Sequence, residues 1–267
     1  MSTPPATTPG LAHASSPVDG LWVLERRVAR PEAVVVCVHG GLDRGGSFAR
    51  IARRLDRFDV VAYDRRGYQR SRGLTPISFD GHVADLVALA RRERPRPVIL
   101  FGHSFGGLVT FASAIRHPDL ASLVVNFETP LPWVLVRRSG RPAPGDDPAA
   151  EAEQFFRRIM GDAAWGRLSE AERESRRADG PALLADLAVV SGPAPFDLGD
   201  LATPAALAYG DGHLGPYYRD LSVRLGERYP SLTTLEVAHA GHGAHLGSPG
   251  ALAHVIERRW DDTCASD

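Results

Sequence analysis

The sequence predicts an α/β fold with a mainly parallel, twisted sheet, helices on both faces and a helical insertion late in the sheet. Short apolar runs rich in β-branched residues recur along the chain, and such runs are typical of strands buried on both faces. Segments with apolar residues at helical spacing separate them. Because strands that alternate with helices pair in parallel, we expect one doubly covered sheet.

Seven segments are predicted as strands. The first alternates loosely, as an edge strand does, and the others are largely continuous apolar runs that end at glycine, aspartate or histidine. The predicted strands cover residues 21–28, 33–38, 59–63, 97–101, 120–127, 205–209 and 232–237.

Helices are predicted between these strands, with Ser47 and Ser78 placed to cap two of them. The predicted core helices cover residues 48–55, 79–92, 108–115, 214–228 and 249–260.

One stretch interrupts the alternation and predicts a helical cap, or lid, over the sheet edge. It contains a loop rich in Arg, Pro, Gly and Asp at 137–148, and helical patterns at 149–161 and 169–190. The expected organisation is a mobile N-terminal tail at 1–17, a core formed by 18–132 and 203–267, and a helical cap at 133–202.

Composition excludes several classes of function. The chain has 267 residues, a net charge of −1 and 43% apolar residues, so a polyanion-binding surface is not expected and no nucleic-acid partner is predicted. It contains no lysine, which excludes Schiff-base chemistry on that side chain. Without a recognisable signal peptide or an apolar span, the prediction is a cytoplasmic protein with no membrane partner. The cysteines, Cys37 and Cys264, are not expected to form a disulfide.

The most informative motif is Gly102-His103-Ser104-Phe105-Gly106, which matches G-x-S-x-G. It lies between a predicted buried strand and a predicted helix, the context in which this motif presents a nucleophile. The tight turn exposes the hydroxyl above the sheet edge, and the helix N-terminus favours developing negative charge. Ser104 is therefore the candidate nucleophile.

A serine nucleophile needs a base, and His242 is the candidate. It lies in a glycine-flanked loop after the last predicted strand. With His239 and His245 it forms an H-x-x-H-x-x-H run. A glycine-broken loop does not present one helical face and HExxH is absent, so no metal and no cofactor are predicted.

Two carboxylates are candidates for the acid that orients His242. Asp211 follows the strand at 205–209 and fits the chain order Ser, Asp, His. Glu128 follows the strand at 120–127, whose end also lies near the nucleophile. Asp211 is preferred on chain order, and Glu128 remains an alternative.

The glycines after the first buried strand predict an oxyanion hole. Gly40 and Gly41 lack side chains, so backbone N–H groups there can approach a substrate oxygen. We expect N–H groups of these glycines, together with the N–H of Phe105, to supply it. The segment from Asp64 to Ser71 is interpreted as a structural brace whose arginines pair with carboxylates.

These motifs, in this order, resemble the α/β-hydrolase superfamily over residues 21–260. The stretch 64–71 is similar to the D-x-R-G-x-G-x-S element of that family, with Gln69 at its second glycine. The resemblance implies an α/β-hydrolase fold, with Ser104 as nucleophile, His242 as base, Gly41 and Phe105 at the oxyanion hole, and a cap within 126–204. Two departures stand out. His213 occupies a position where the family often has its acid, and the stretch 128–132 looks like the E-P-P-L-P element of a bacterial subgroup.

The expected reaction is therefore hydrolysis of a small or medium carboxylic ester, with a small-molecule acyl substrate as partner. Thioester, amide and carbon–carbon cleavage remain open, since one constellation serves all of them. Alternatives are an acyltransferase or cofactor-free perhydrolase with the same triad, and a ligand-binding sensor of this fold. Aromatic residues are candidates for an acyl pocket: Phe127, Trp133, Phe155, Phe156 and Trp165.

Overall fold

The structure, a computed structural model, describes residues 10–135, 145 and 147–265. Within these residues, eight strands form one sheet in the order β1-β2-β4-β3-β5-β6-β7-β8. The strands are β1 (Ala12–Ala14), β2 (Val23–Arg26), β3 (Ala33–Val38), β4 (Phe58–Tyr63), β5 (Val98–His103), β6 (Leu123–Phe127), β7 (Ala205–Gly210) and β8 (Leu232–Val237). Strands β3 to β8 pair in parallel, and β1 and β2 are antiparallel at one edge.

Helices follow the parallel strands and cover both faces of the sheet, which confirms the predicted α/β architecture. The helices are α1 (Ala49–Ala52), α2 (Phe79–Arg92), α3 (Phe105–Arg116), α4 (Pro148–Met160), α5 (Asp162–Gly166), α6 (Glu170–Ala178), α7 (Gly180–Ser191), α8 (Gly215–Arg228), α9 (Ala244–Gly247) and α10 (Pro249–Cys264). No helix in this part of the chain is long and apolar enough to cross a bilayer.

The alternation of side chains along β3 explains why the core has two layers. Val34, Val36 and Val38 pack with α2, α3 and α8 on one face of the sheet. Val35 and Cys37 pack with α1 and α10 on the other. Successive side chains of a strand point to opposite faces, so a strand covered on both faces must be apolar throughout.

Four helices, α4 to α7, lie between β6 and β7, within the predicted insertion. A third apolar cluster joins this insertion to the core, and in it Ala182, Leu183 and Leu187 of α7 pack with Leu42 and Tyr68.

The prediction of one continuous helix at 169–190 is wrong, because the helix is broken at Asp179 into α6 and α7. The Asp179 carboxylate instead accepts hydrogen bonds from Gln69 and Arg72 of the core. The following residue, Gly180, lies where an added Cβ would be 2.2 Å from the carbonyl oxygen of Pro148.

Two further expectations are corrected. The predicted mobile tail at 1–17 is wrong for Ala12–Ala14, which pair with Val23–Glu25 as β1; residues 1–9 lie outside the described residues. The helix predicted at 48–55 is only α1, preceded by a 3-10 turn that includes Ser47, so Ser47 is not its N-cap. Ser78 does cap α2, accepting the N–H of Gly81. Most of the predicted loop at 137–148 lies outside the described residues.

Candidate active site

Ser104 occupies a strained turn between β5 and α3. Its backbone has φ 53° and ψ −124°, a conformation that residues with a side chain rarely adopt. The turn leaves no room for side chains beside Ser104. A Cβ added at Gly102 would lie 2.5 Å from the Cα of Gly107, and one added at Gly106 would lie 2.1 Å from the carbonyl oxygen of Val38. The glycines of the motif are therefore required by close packing.

Similar strain recurs along the carboxyl edge of the sheet. Leu42, Ser104, Glu128 and His239 all have positive φ, and they follow β3, β5, β6 and β8. Each such position costs about 1–3 kcal/mol and persists where the surrounding structure imposes it, commonly at functional sites. The concentration of strain at this edge marks it as the candidate active site, which is also where ligands bind in open α/β sheets.

His242 is held by Glu128. Nδ1 of His242 lies 2.6 Å from Oε2 of Glu128, and Oε1 of Glu128 accepts the N–H of Gly210 at 3.1 Å. Glu128 is fully buried. A carboxylate in this position fixes the ring orientation and leaves Nε2 of the imidazole free to act as a base.

Asp211, the acid preferred on chain order, has no hydrogen bond to the imidazole, whereas Glu128 has one. Its two carboxylate oxygens accept the backbone N–H groups of His239 and Ala240, at 2.9 and 3.1 Å. The His239 N–H, with that of Ala240, lowers the pKa of this exposed carboxyl. Asp211 shapes the loop that carries His242, whereas Glu128, the alternative, reaches the ring.

The two residues predicted for the oxyanion hole lie next to the nucleophile. Phe105 is the first residue of α3, where backbone N–H groups have no partner within the helix. Gly40, which precedes Gly41, lies so close to Ser104 that an added Cβ would be 2.9 Å from the Ser104 Cβ.

His103 supports the loop of His242 through a hydrogen bond to its backbone. Nε2 of His103 donates to the carbonyl oxygen of His242 at 2.8 Å, and the two rings lie 4.8 Å apart. Burial, together with His245 and His242, lowers the pKa of His103 well below its ordinary value. A neutral His103 therefore supports the loop, a role that the motif letters do not reveal.

Among the described residues, Asp43, His103 and His245 place one carboxylate oxygen and two imidazole nitrogens within 4.8 Å of one another. Asp43 already accepts the hydroxyl of Ser47 at 2.9 Å and lies 3.2 Å from Nε2 of His245. The H-x-x-H-x-x-H run does not converge on one point, since His242 faces Glu128, His245 faces Asp43, and His239 is exposed.

The cap covers the site directly. An added Cβ at Gly41 would lie 3.1 Å from Leu183 Cδ1 and 3.7 Å from the ring of Phe155. In the loop of His242, a Cβ added at Gly243 would lie 3.0 Å from the Cε of Met160 in α4. Apolar side chains of α4 and α7 thus face both the predicted oxyanion hole and the loop of the candidate base.

Of the aromatic residues suggested for an acyl pocket, Phe155 lies at the site. Phe156 packs against the same apolar cluster and against Trp165. Phe127 is in the sheet core, and Trp133 contacts Phe196.

Comparison with known proteins identifies the family of this fold. Residues 35–255 match the model of the alpha/beta hydrolase family. The chain is 34% identical to lipase LipV of Mycobacterium tuberculosis over 93 residues, 35% of this chain and 36% of that protein. It is 42% identical to pimeloyl-[acyl-carrier protein] methyl ester esterase of Chromobacterium violaceum over 86 residues, 32% of each chain.

These matches span only about a third of the length of the curated relatives. The fold match is far more extensive. The solved structure of Cfl2 from Burkholderia cenocepacia superposes with a TM-score of 0.74 at 20% identity, covering 95% of this chain and 97% of that one. Since the family model covers most of the sequence, the chain belongs to the alpha/beta hydrolase family.

Proposed function

We propose that this protein is a serine hydrolase that cleaves small or medium carboxylic esters through the triad Ser104, His242 and Glu128. The observation that carries the proposal is the buried Glu128–His242 hydrogen bond of 2.6 Å, at the same sheet edge as the strained Ser104. The lipase and esterase names of the two relatives favour esters among the substrates of this chemistry.

The proposed reaction proceeds in two halves. Ser104 Oγ attacks the ester carbonyl carbon while Nε2 of His242 takes the hydroxyl proton, and Glu128 stabilises the imidazolium that forms. The N–H groups of Gly41 and Phe105 hold the negative oxygen of the tetrahedral intermediate. His242 then gives its proton to the departing alcohol. Water, deprotonated by His242, attacks the acyl-enzyme; the acyl–Oγ bond then breaks, His242 returns the proton to Ser104 Oγ, and the carboxylic acid is released.

Helices of the cap place apolar side chains at the candidate site. Leu183 and Phe155 border the predicted oxyanion hole, so the acyl group meets apolar side chains at once. This favours an uncharged, apolar acyl chain, and p-nitrophenyl esters of acetate, butyrate and octanoate can determine its preferred length.

The first experiment is labelling by a fluorophosphonate probe, with Ser104→Ala and His242→Ala beside the wild type. We expect the wild type to label, Ser104→Ala not to label, and His242→Ala to label much more slowly. Absence of labelling in a well-folded wild type would contradict the proposal and favour a ligand-binding sensor of this fold.

A further inference from the structure

Arg65 is a fully buried cation between the predicted oxyanion hole and the cap. It follows β4 and has no exposed surface. Burying a guanidinium is costly unless its N–H groups find acceptors and its charge finds a partner. The positions of those partners show what the residue holds together.

The first set of partners is the oxyanion loop, defined here as His39–Leu42. Nε of Arg65 donates to the carbonyl oxygen of His39 at 2.9 Å, and a terminal nitrogen donates to that of Gly40 at 3.3 Å. The Arg65 backbone N–H donates to Nε2 of His39 at 2.9 Å, and Nδ1 of His39 donates to the Gly40 carbonyl at 2.7 Å. Two donors therefore fix the Gly40 carbonyl.

Fixing that carbonyl also fixes the next amide. In a trans peptide the C=O and the following N–H point in opposite directions. With the Gly40 carbonyl held on the Arg65 side, the N–H of Gly41 must point away from Arg65. Gly40 itself lies against Ser104, because a Cβ added at Gly40 would be 2.9 Å from the Cβ of Ser104.

The second partner is on the cap. Asp186 of α7 accepts from both terminal nitrogens of Arg65, at 3.1 and 2.6 Å, and from the Tyr68 hydroxyl at 2.6 Å. Burial alone would raise the pKa of this carboxyl, but Arg65 holds it well below its ordinary value. The Arg65 guanidinium also lies 4.8 Å from the ring centre of Phe105.

We propose that Arg65 and Asp186 are positioning residues that couple docking of the cap helix α7 to the orientation of the Gly41 amide. The inference rests on the proposed function, because it assigns that amide to the oxyanion hole. With α7 docked, Asp186 aligns the guanidinium and the guanidinium holds the Gly40 carbonyl. Without this carboxylate, Arg65 has no charge partner on the cap, and the Gly40 carbonyl loses one of its two donors in its fixed position.

The chain offers a matched control in the same helix pair. Asp179, between α6 and α7, also joins the cap to the core, accepting from Gln69 and from the side chain of Arg72. Neither partner contacts the oxyanion loop by any hydrogen bond described above. Asp179→Asn therefore weakens cap docking without touching the Gly40 carbonyl, whereas Asp186→Asn does both.

The kinetic test uses p-nitrophenyl butyrate with wild type, Asp186→Asn and Asp179→Asn. Loss of one oxyanion donor lowers kcat by roughly 100- to 1000-fold. For a donor that is loosened rather than removed, we expect a fall in kcat of about 10- to 100-fold in Asp186→Asn, with little change in KM. Asp179→Asn should keep kcat near that of the wild type. Equal losses of kcat in both variants, or a change confined to KM, would show that Asp186 only docks the cap.

A second readout does not depend on activity. The amide resonance of Gly41 in a ¹H–¹⁵N spectrum should shift in Asp186→Asn and remain in place in Asp179→Asn. If the wild type shows no esterase activity, the proposed function fails while this coupling is still measured. An unmoved Gly41 resonance in Asp186→Asn would overturn the proposal.

A milder variant covers the case in which Asp186→Asn does not fold. Tyr68→Phe removes one hydrogen bond to Asp186 and leaves the ion pair in place. We expect the same direction of change in kcat and in the Gly41 resonance, but smaller. A well-folded Tyr68→Phe protein that matches the wild type in both measurements would contradict the coupling.

Discussion

Glu128 and His242 are joined by a buried hydrogen bond of 2.6 Å, although 114 positions separate them in the sequence. Glu128 extends β6, and its own N–H donates to the Ala208 carbonyl of β7 at 2.9 Å. Ser104 extends β5 in the same way, donating to the Phe127 carbonyl. The candidate nucleophile and acid therefore stand at the ends of neighbouring strands, each tied to the next strand by its backbone.

Replacing Glu128 by glutamine should lower kcat/KM by about 100- to 10,000-fold, by analogy with loss of the acid in serine protease triads. A neutral amide cannot stabilise the imidazolium, and its N–H₂ group can enforce the wrong imidazole tautomer. The measurement is hydrolysis of a p-nitrophenyl ester. The matched variant Asp211→Asn should stay close to wild-type activity, and a larger loss in Asp211→Asn than in Glu128→Gln would reverse the assignment.

Gly106→Ala should destabilise the protein by about 1–3 kcal/mol or more, as overpacked sites do. The new methyl group would lie 2.1 Å from the Val38 carbonyl oxygen, so backbone must move. Gly226→Ala is the control, because Gly226 lies on helix α8 and a Cβ added there has no neighbour within 4 Å apart from the adjacent backbone of its own helix. That variant should gain about 0.4–1 kcal/mol. Urea unfolding of both measures the difference, and equal stabilities would contradict the packing described at the nucleophile turn.

Leu183→Ala should cost about 2–5 kcal/mol, the usual range for a buried leucine. Leu183 is completely buried between the cap and the oxyanion loop. Val223→Ala is a suitable comparison, since Val223 is 59% exposed and should change stability by no more than about 0.5 kcal/mol. Thermal unfolding distinguishes them. A Leu183→Ala protein as stable as Val223→Ala would show that α7 does not dock as described.

Stability should fall as the pH is lowered from about 7.5 to 5.5. Burial, with a contribution from Arg65, lowers the pKa of His39 to about 3, and burial also lowers those of His82 and His103. The unfolded chain takes up protons near pH 6.5 while these buried rings stay neutral. Each such ring costs up to about 1.4 kcal/mol of stability per pH unit below that point.

The melting temperature measured across this pH range tests the effect. His103→Gln should make the dependence shallower, because the unfolded state then gains one proton fewer. His254→Gln, at an exposed position, is the control and should keep the wild-type slope. A melting temperature that stays constant from pH 7.5 to 5.5 would contradict the neutral burial of these rings.

The sequence predicted best what depends on local pattern. The bounds predicted for 33–38 and 232–237 match β3 and β8, and the turn at Ser104 followed from one motif. Strand β1 was missed because Ala12–Ala14 carries no apolar pattern and is held by backbone pairing. The preference for Asp211 differs from the contact found in the structure for a related reason: which strand end lies nearest to His242 is set by tertiary packing, and chain order does not encode it.

The sequence predicts the pairing of Arg65 with a carboxylate and does not identify Asp186 as that partner. Arginines in the 64–71 stretch are predicted to pair with carboxylates, and two of the three do: Arg65 with Asp186 and Arg66 with Asp85. The third, Arg70, lies over the ring of Trp22. Asp186 itself was overlooked, although a lone acid in the apolar run Leu183-Leu184-Ala185-Asp186-Leu187 is a signal that a buried partner exists. Its identity required the fold.

Because Glu128 precedes the helices α4 to α7 and His242 follows β8, none of the proposed triad lies within the cap. We therefore expect that helices α4 to α7 could be replaced by those of a related protein, which would change the side chains facing the substrate and leave the proposed triad in place. Such an exchange carries one condition: the incoming helices must supply a carboxylate where Asp186 meets Arg65.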